Sequence, residues 1–433
     1  MQPSGTHVVV VGGGFAGVSC AKLLAEDSRV RVTLVDENGY HQFQPLLYQV
    51  ATAELAGADM TFRHGEIFSN LPSVEVVNAH AESLDVDQFS VTLADGTTIS
   101  GDYLVLAAGA QPNFFHIPGA AEFAFPLYSL KDARRLRERV LQLFGDASAK
   151  PELVDDGALT FVVVGGGPTG VEISGALSEL VHDVMPHRYP NVAVSGARII
   201  LVDLGSVLLA PFSDESHEYT AKQLQRRGVE LRLKTAVKEV ARDHVVLNDG
   251  TTIPTHLVIW GGGEMASEIA GNAGIGQGHG GRIDVQPDLT VPGHPKVFAV
   301  GDVANIPFGD EHALPQLGSV AQQSGEWAAK NILGDIDGTG RAPFHYRDKG
   351  IMAMIGRKAA VAEMGAHRHE MHGRIAFAAW LGVHAELLSN TGAELKSFIA
   401  WANDFYFRPH HRSAELLDPA QVELPRIHWG QSK

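Results

Sequence analysis

His7-Val8-Val9-Val10-Val11-Gly12-Gly13-Gly14-Phe15-Ala16-Gly17 decides the fold, because the chain repeats its pattern as Phe161-Val162-Val163-Val164-Gly165-Gly166-Gly167-Pro168-Thr169-Gly170. Each copy runs from an apolar, β-branched stretch through GxGxxG into a helix-like segment. The glycines are Gly12, Gly14 and Gly17 in the first copy and Gly165, Gly167 and Gly170 in the second. A pyrophosphate is bulky and doubly charged. It needs a sharp turn, backbone N–H donors without a Cβ in the way, and the positive end of a helix dipole. Strand, glycines and helix in that order supply all three. Two such turns in one chain can hold two dinucleotides and pass electrons between them.

Working outward, residues 15–26 read as a helix and Val30 to Val35 as the next strand, ending in Asp36. That acid lies near the spacing at which a carboxylate meets a ribose hydroxyl. Residues 74–77 and 81–99 alternate and contain Asp95-Gly96, a hairpin signal. Tyr103 to Ala108 is a buried strand running into Gly109. The second unit repeats the plan: its strand Arg198 to Val202 ends in Asp203, Asn248-Asp249-Gly250 mirrors the hairpin signal, and Leu257 to Trp260 mirrors the later strand. Asp203 lies further from its glycines than Asp36 does but takes the same ribose role. A third apolar strand, Val297 to Val300, runs into Gly301-Asp302 and belongs with the first unit. The expected fold is α/β, with two Rossmann-like dinucleotide-binding domains, the second inserted in the first, and a C-terminal α/β extension. The first domain takes residues 1–120 and 268–345, the second 155–267, and the extension 346–433. A charged helix and polar link over 130–157 suit a crossover.

At 433 residues the chain exceeds what one core supports, and its net charge of −16 disfavours nucleic acid as a partner. The 47 glycines are in excess, as glycine-rich dinucleotide turns require. Cys20 is the only cysteine, so no disulfide and no redox-active thiol pair can form within the chain; its place in the first helix reads as packing. The N-terminus enters the first strand without a signal peptide, and no run reaches the ~18 apolar residues of a membrane span. A cytoplasmic location is expected. The histidines at His367, His369 and His372 and at His410-His411 have neither cysteine partners nor H-E-x-x-H spacing. They read as solvated loop residues, and no metal is expected. No nucleophile elbow is present.

The whole pattern resembles the two-dinucleotide-domain flavoprotein reductases, and within them the type II NADH dehydrogenases, single-chain NADH:quinone oxidoreductases. His41-Gln42-Phe43-Gln44-Pro45-Leu46-Leu47-Tyr48-Gln49-Val50-Ala51 resembles the family's segment after the first acid, and Asp348 to Arg357 its segment after the Gly-Asp strand. Trp380, His384 and Trp401 resemble its C-terminal helical region. Two features depart from the family. Its Ala-Gln-x-Ala-x-Gln quinone motif is Gly318-Ser319-Val320-Ala321-Gln322-Gln323 here, with Ser319 in place of the first glutamine. Its amphipathic C-terminal region here carries His384, Glu386, Ser389, Asn390, Thr391 and Glu394, among Leu381, Leu387, Leu388, Phe398 and Trp401.

The resemblance implies FAD on the first turn, with Gly12, Gly14, Gly17 and Asp36 on its ADP half and Gly301-Asp302 at the ribityl chain and phosphate. Gln44, Gly109 and Gly263 complete the implied cofactor contacts. NADH belongs on Gly165, Gly167 and Gly170. Asp203 accepts from a free 2′-hydroxyl and repels a 2′-phosphate, and no cation follows it in Leu204-Gly205-Ser206-Val207, so NADH is favoured over NADPH. Three catalytic residues carry over: Glu172 near nicotinamide and flavin, Gln323 at flavin or acceptor, and Lys349 beside the flavin or the acceptor pocket. The bland alternatives are a dipole-complementing helix acid, an exposed helix glutamine and a surface lysine. Hydride then passes from NADH to flavin and two electrons go on to a quinone-type acceptor. The alternative is a soluble NAD(P)H-dependent flavoprotein reductase of a small molecule or carrier protein, which Ser319 and the polar 384–394 stretch favour. For the C-terminal region the resemblance implies peripheral contact on the inner face of the membrane, and its apolar residues also suit a homodimer contact. It is expected to be separable from the flavin chemistry by truncation after about residue 375.

Overall fold

The computed structural model describes residues 5–309, 312–365 and 367–390, with Leu424, Pro425, Ile427 and Trp429. Strand β1 (Thr6–Val11), helix α1 (Phe15–Ala25), β2 (Val30–Asp36), helix α2 (Leu47–Ala51), β3 (Val74–Asn78) and β4 (Tyr103–Leu106) open the first unit. Four consecutive valines of β1 are buried on both faces. Such strands sit inside a parallel sheet covered on both sides. β1 pairs in parallel with β2 and β4, and β2 with β3.

A second sheet follows. It contains β5 (Ala124–Pro126), β6 (Thr160–Val164), β7 (Arg198–Val202), β8 (Val229–Arg232) and β9 (Leu257–Trp260) in the spatial order β5-β9-β6-β7-β8, and the paired strands are parallel. Helices α3 (Leu130–Ala149), α4 (Pro168–Glu179) and α5 (Asp214–Arg226) belong to this stretch of chain. α3 starts on a reciprocal capping box between Ser129 and Asp132, which the charged 130–157 stretch did not advertise. β5 precedes that helix in a stretch the sequence left outside both units, yet it pairs with β9.

The chain then returns. Strand β10 (Thr290–Val291) and β11 (His294–Ala299) close the first sheet, with Val297 registered against Leu104 and β11 parallel to β4. The Gly301-Asp302 turn thereby arrives beside the first glycine turn, as the apolar strand before it implied. Helix α6 (Gly318–Asp337) packs against α1, with Gly325 lying on the Ala16 carbonyl where a Cβ would not fit.

Last come an antiparallel sheet of β12 (Ile351–Gly356), β13 (Ala359–Met364) and β14 (His369–His372), and helix α7 (Gly373–Asn390). β12 lies directly on α4, where Gly175 lets the Ile355 carbonyl approach. Phe377 and Trp380 of α7 are fully buried. The extension is therefore continuous with the core, and truncation after about residue 375 would remove the buried Phe377 and Trp380. The far C-terminus straps onto α3: Arg139 donates to the Pro425 carbonyl at 2.7 Å and Trp429 Nε1 to Asp146 at 3.0 Å. No helix among the described residues is long and apolar enough to cross a membrane. Thr391, Glu394, Phe398, Trp401 and His410-His411 lie outside the described residues, as do the side chains of Glu386, Leu387, Leu388, Ser389 and Asn390.

Candidate active site

The two glycine turns have one geometry. Gly12 and Gly165 both hold φ at +107°, a conformation that disfavours any side chain, and each lies against a backbone carbonyl of the later strand segment, Ala107 or Gly261. A Cβ on Gly17 or Gly170 would strike the carbonyl of Gly12 or Gly165, whereas one on Gly14 or Gly167 would meet nothing within 4 Å. That open space is where a ligand's phosphates approach. The acids match as well. Asp36 accepts from the Gly13 N–H at 2.6 Å, and Asp203 from the Gly166 N–H at 2.6 Å. Each also takes a second N–H from its own loop, Asn38 for Asp36 and Gly205 for Asp203. Burial holds the Asp36 carboxyl above its ordinary value, against the pull of these N–H donors.

Around the first turn runs a groove of about 460 Å³ lined by Gly12, Gly14, Asp36, Gln44, Gly109, Gly301 and Asp302 among others. It gathers the predicted first-turn contacts, Gly17 staying behind as packing. Gly263 is placed apart from the groove lining, beyond β9 and beside Phe115. The floor suits a flavin dinucleotide. The Asp302 Oδ1 atom is buried without a hydrogen-bond partner, and burial pushes its carboxyl up to about 6. A buried carboxylate oxygen calls for donors, and ribityl hydroxyls are donors of the right kind. Two residues that sequence reasoning passed over belong to this end. Tyr128 lines the groove and its hydroxyl accepts from the Ala110 N–H at 2.9 Å. Glu264 is pushed up to about 7 by burial, with the Asp302 charge adding to it. Neither lies in a motif, so no local signal marked them.

The three expected catalytic residues are each engaged by protein groups outside the groove lining. Glu172 faces the C-terminal extension: it accepts from the Met354 N–H at 3.1 Å and from Trp380, in a narrow crevice with Tyr48, Glu54, Glu179 and Arg357. Burial pushes its carboxyl up to about 8. Gln323 has both ends of its amide engaged by the Arg347 backbone, at 3.0 and 3.1 Å. Lys349 meets Tyr346 through its backbone, and the same Tyr346 hydroxyl lies 2.9 Å from Ser319 Oγ. Ser319, Gln323 and Lys349 are thus brought together, but as a clamp between α6 and residues 346–349. None of Glu172, Gln323 and Lys349 lines the groove. Glu172 and Gln323, on α4 and α6, bond backbone groups of segments far along the chain, which sequence spacing does not reveal.

His384, taken as part of a polar departure, is buried: it stacks on Trp380 with ring centroids 3.8 Å apart and meets Phe43 edge-on. Burial lowers its imidazole to about 4. His372 is likewise no free loop residue. It stacks on Tyr219 and lies 3.5 Å from Glu215, an exposed carboxylate, with Glu370 close by. Cys20 is free and buried, its thiol pushed up to about 12. A thiol so buried does not act as a nucleophile or electron relay.

The pattern of the pyridine nucleotide-disulphide oxidoreductase family matches residues 6–325. The type II NADH:quinone oxidoreductase NdhA of Mycobacterium tuberculosis is 34% identical over 95% of this chain and 89% of its own length. The internal alternative NAD(P)H-ubiquinone oxidoreductase A1 of Arabidopsis thaliana mitochondria is 31% identical over 92% of this chain and 82% of its own. Among solved structures, NDH2 from Plasmodium falciparum in complex with NADH superposes with a TM-score of 0.82 at 17% identity, covering 94% of this chain and 99% of that one. The sulfide:quinone oxidoreductase of Aquifex aeolicus gives 0.74 at 19% identity, over 93% and 96% of the two chains. Twin glycine turns, a groove built for a flavin dinucleotide and near full-length similarity together place this chain in the type II NADH:quinone oxidoreductase family, within the pyridine nucleotide-disulphide oxidoreductases.

Proposed function

We propose that this chain oxidises NADH and reduces a quinone, with FAD resident on the first glycine turn and NADH visiting the second. FAD bound on the first turn would supply a two-electron carrier between NADH and the quinone. The observation that carries the reading is the pair of matched turns in a chain whose only cysteine is buried and unpaired. With one buried cysteine, no thiol pair relays electrons between the flavin and the acceptor.

The protein's own part is to bind and orient. Gly12, Gly14 and Asp36 hold the ADP half, and Asp302 at the groove floor accepts from the ribityl chain. Gly165, Gly167 and Gly170 receive the second pyrophosphate. Asp203 leaves lone pairs for a ribose diol and repels a 2′-phosphate. Burial raises the Glu172 carboxyl to about 8 between α4 and the extension, against the pull of its Met354 N–H and Trp380 donors. Residues 1–120 and 268–345 serve as the flavin unit and 155–267 as the NADH unit. Quinones partition into lipid, so we assign the C-terminal region a peripheral membrane contact, checked by flotation with liposomes. The test of the activity is direct: NADH should bleach the yellow protein anaerobically, and a short-chain quinone should restore the colour. Reoxidation by quinone no faster than by oxygen alone would reject the acceptor and favour the soluble-reductase alternative.

A further inference from the structure

Beneath the first glycine turn lie two fully buried histidines that no motif joined. His41 Nδ1 lies 3.2 Å and His64 Nε2 3.1 Å from the same Gly13 carbonyl oxygen. A carbonyl can only accept, so each ring must carry its proton on the nitrogen facing it. The opposite nitrogens, His41 Nε2 and His64 Nδ1, are buried without partners. Both rings therefore donate to one oxygen. The fit is tight: a Cβ on Gly13 would run into the His64 ring.

The trans peptide unit converts this into an orientation. Gly13 C=O and Gly14 N–H are opposite ends of one rigid plane. With the oxygen pinned inward by two donors, the N–H points outward, at the Gly14 face that lines the groove. The duplicated turn sharpens the comparison. There the equivalent Gly166 carbonyl accepts one backbone bond, from the Leu209 N–H at 2.8 Å. The same peptide is thus held by two side chains under the resident cofactor and by the main chain under the visiting one.

We propose that His41 and His64 are positioning residues for FAD: their paired donation to Gly13 fixes the Gly13–Gly14 peptide so that its N–H meets the cofactor's pyrophosphate. The inference rests on the reading of the first turn as the FAD site. It is tested by following FAD release from diluted holoprotein through flavin fluorescence, with the NADH KM measured in excess FAD. His64→Leu fills the space but donates nothing; release should quicken roughly tenfold, the loss expected when a buried acceptor gives up one donor. His64→Gln returns an N–H at the ε position and should release FAD within about threefold of wild type, and His41→Asn should do likewise at the δ position. The NADH KM should stay within about twofold in all of them, because the second turn is held by its own backbone. Yellow His64→Leu protein that keeps FAD as wild type does, or His64→Gln that releases it as fast as His64→Leu, would overturn the clamp while leaving the cofactor reading intact. A wild-type protein that takes up no FAD would overturn both.

Discussion

Asp203 is already spending lone pairs on its own turn, with Gly166 and Gly205 N–H groups at 2.6 and 2.5 Å, so its removal loosens the turn as well as the ribose contact. Asp203→Ala should raise the NADH KM roughly tenfold and bring NADPH closer to parity; an unchanged NADH to NADPH ratio of kcat/KM would count against its role. Glu172 carries a different prediction. Its folded value of about 8 stands above the ordinary 4.5, so the native state binds its proton more tightly than the unfolded chain does. Stability from this group is fully present below pH 4.5 and is lost as pH rises toward 8 and beyond. Glu172→Gln, neutral at every pH, should flatten the fall in Tm between pH 6 and 9. Parallel melting curves for the two proteins across that range would show that the carboxyl titrates normally. The acids Asp36 and Asp203 were legible from sequence because strand, glycines and acid follow at near-fixed spacing in one βαβ unit. His64 was not, because it reaches Gly13 across a gap in the chain that no spacing rule spans.

Among the elements, α7 departs furthest from its sequence reading. Its amphipathic texture suggested an appendage, yet Trp380 and Phe377 are fully buried and Trp380 also donates to Glu172. Trp380→Ala should cost about 3–5 kcal/mol by cavity formation, seen as a lower midpoint in urea. Truncation before Gly373 should give aggregating protein instead of a clean flavin reductase; a soluble, yellow, NADH-reducible fragment would restore the view of a detachable tail. The strands β1 and β6 behaved as their composition implied. A run of buried β-branched residues has few alternatives to an inner parallel strand. Helix α7 had several, since a face rich in alanine, tryptophan and leucine packs equally well on lipid, on another chain or on β13.

For the whole molecule, the consequence of a single buried cysteine is that turnover should be indifferent to thiol chemistry. Cys20→Ala should keep NADH-to-quinone activity within about twofold, because a small, inert side chain is replaced by another; a loss beyond tenfold with the fold intact would require a thiol in the electron path. The sequence by itself determined the two dinucleotide turns, their acids and the return of the Gly-Asp strand to the first sheet. Each is a local pattern whose backbone geometry leaves little choice. Only the tertiary structure decided what Glu172, Gln323, Lys349 and His384 touch. A side chain's partners are set by whichever buried donors and acceptors the packed elements bring within reach. For Glu172 on α4, Gln323 on α6 and His384 on α7 those partners include Met354 of β12, the Arg347 backbone and Phe43, residues far away in the chain and brought within reach only by the fold.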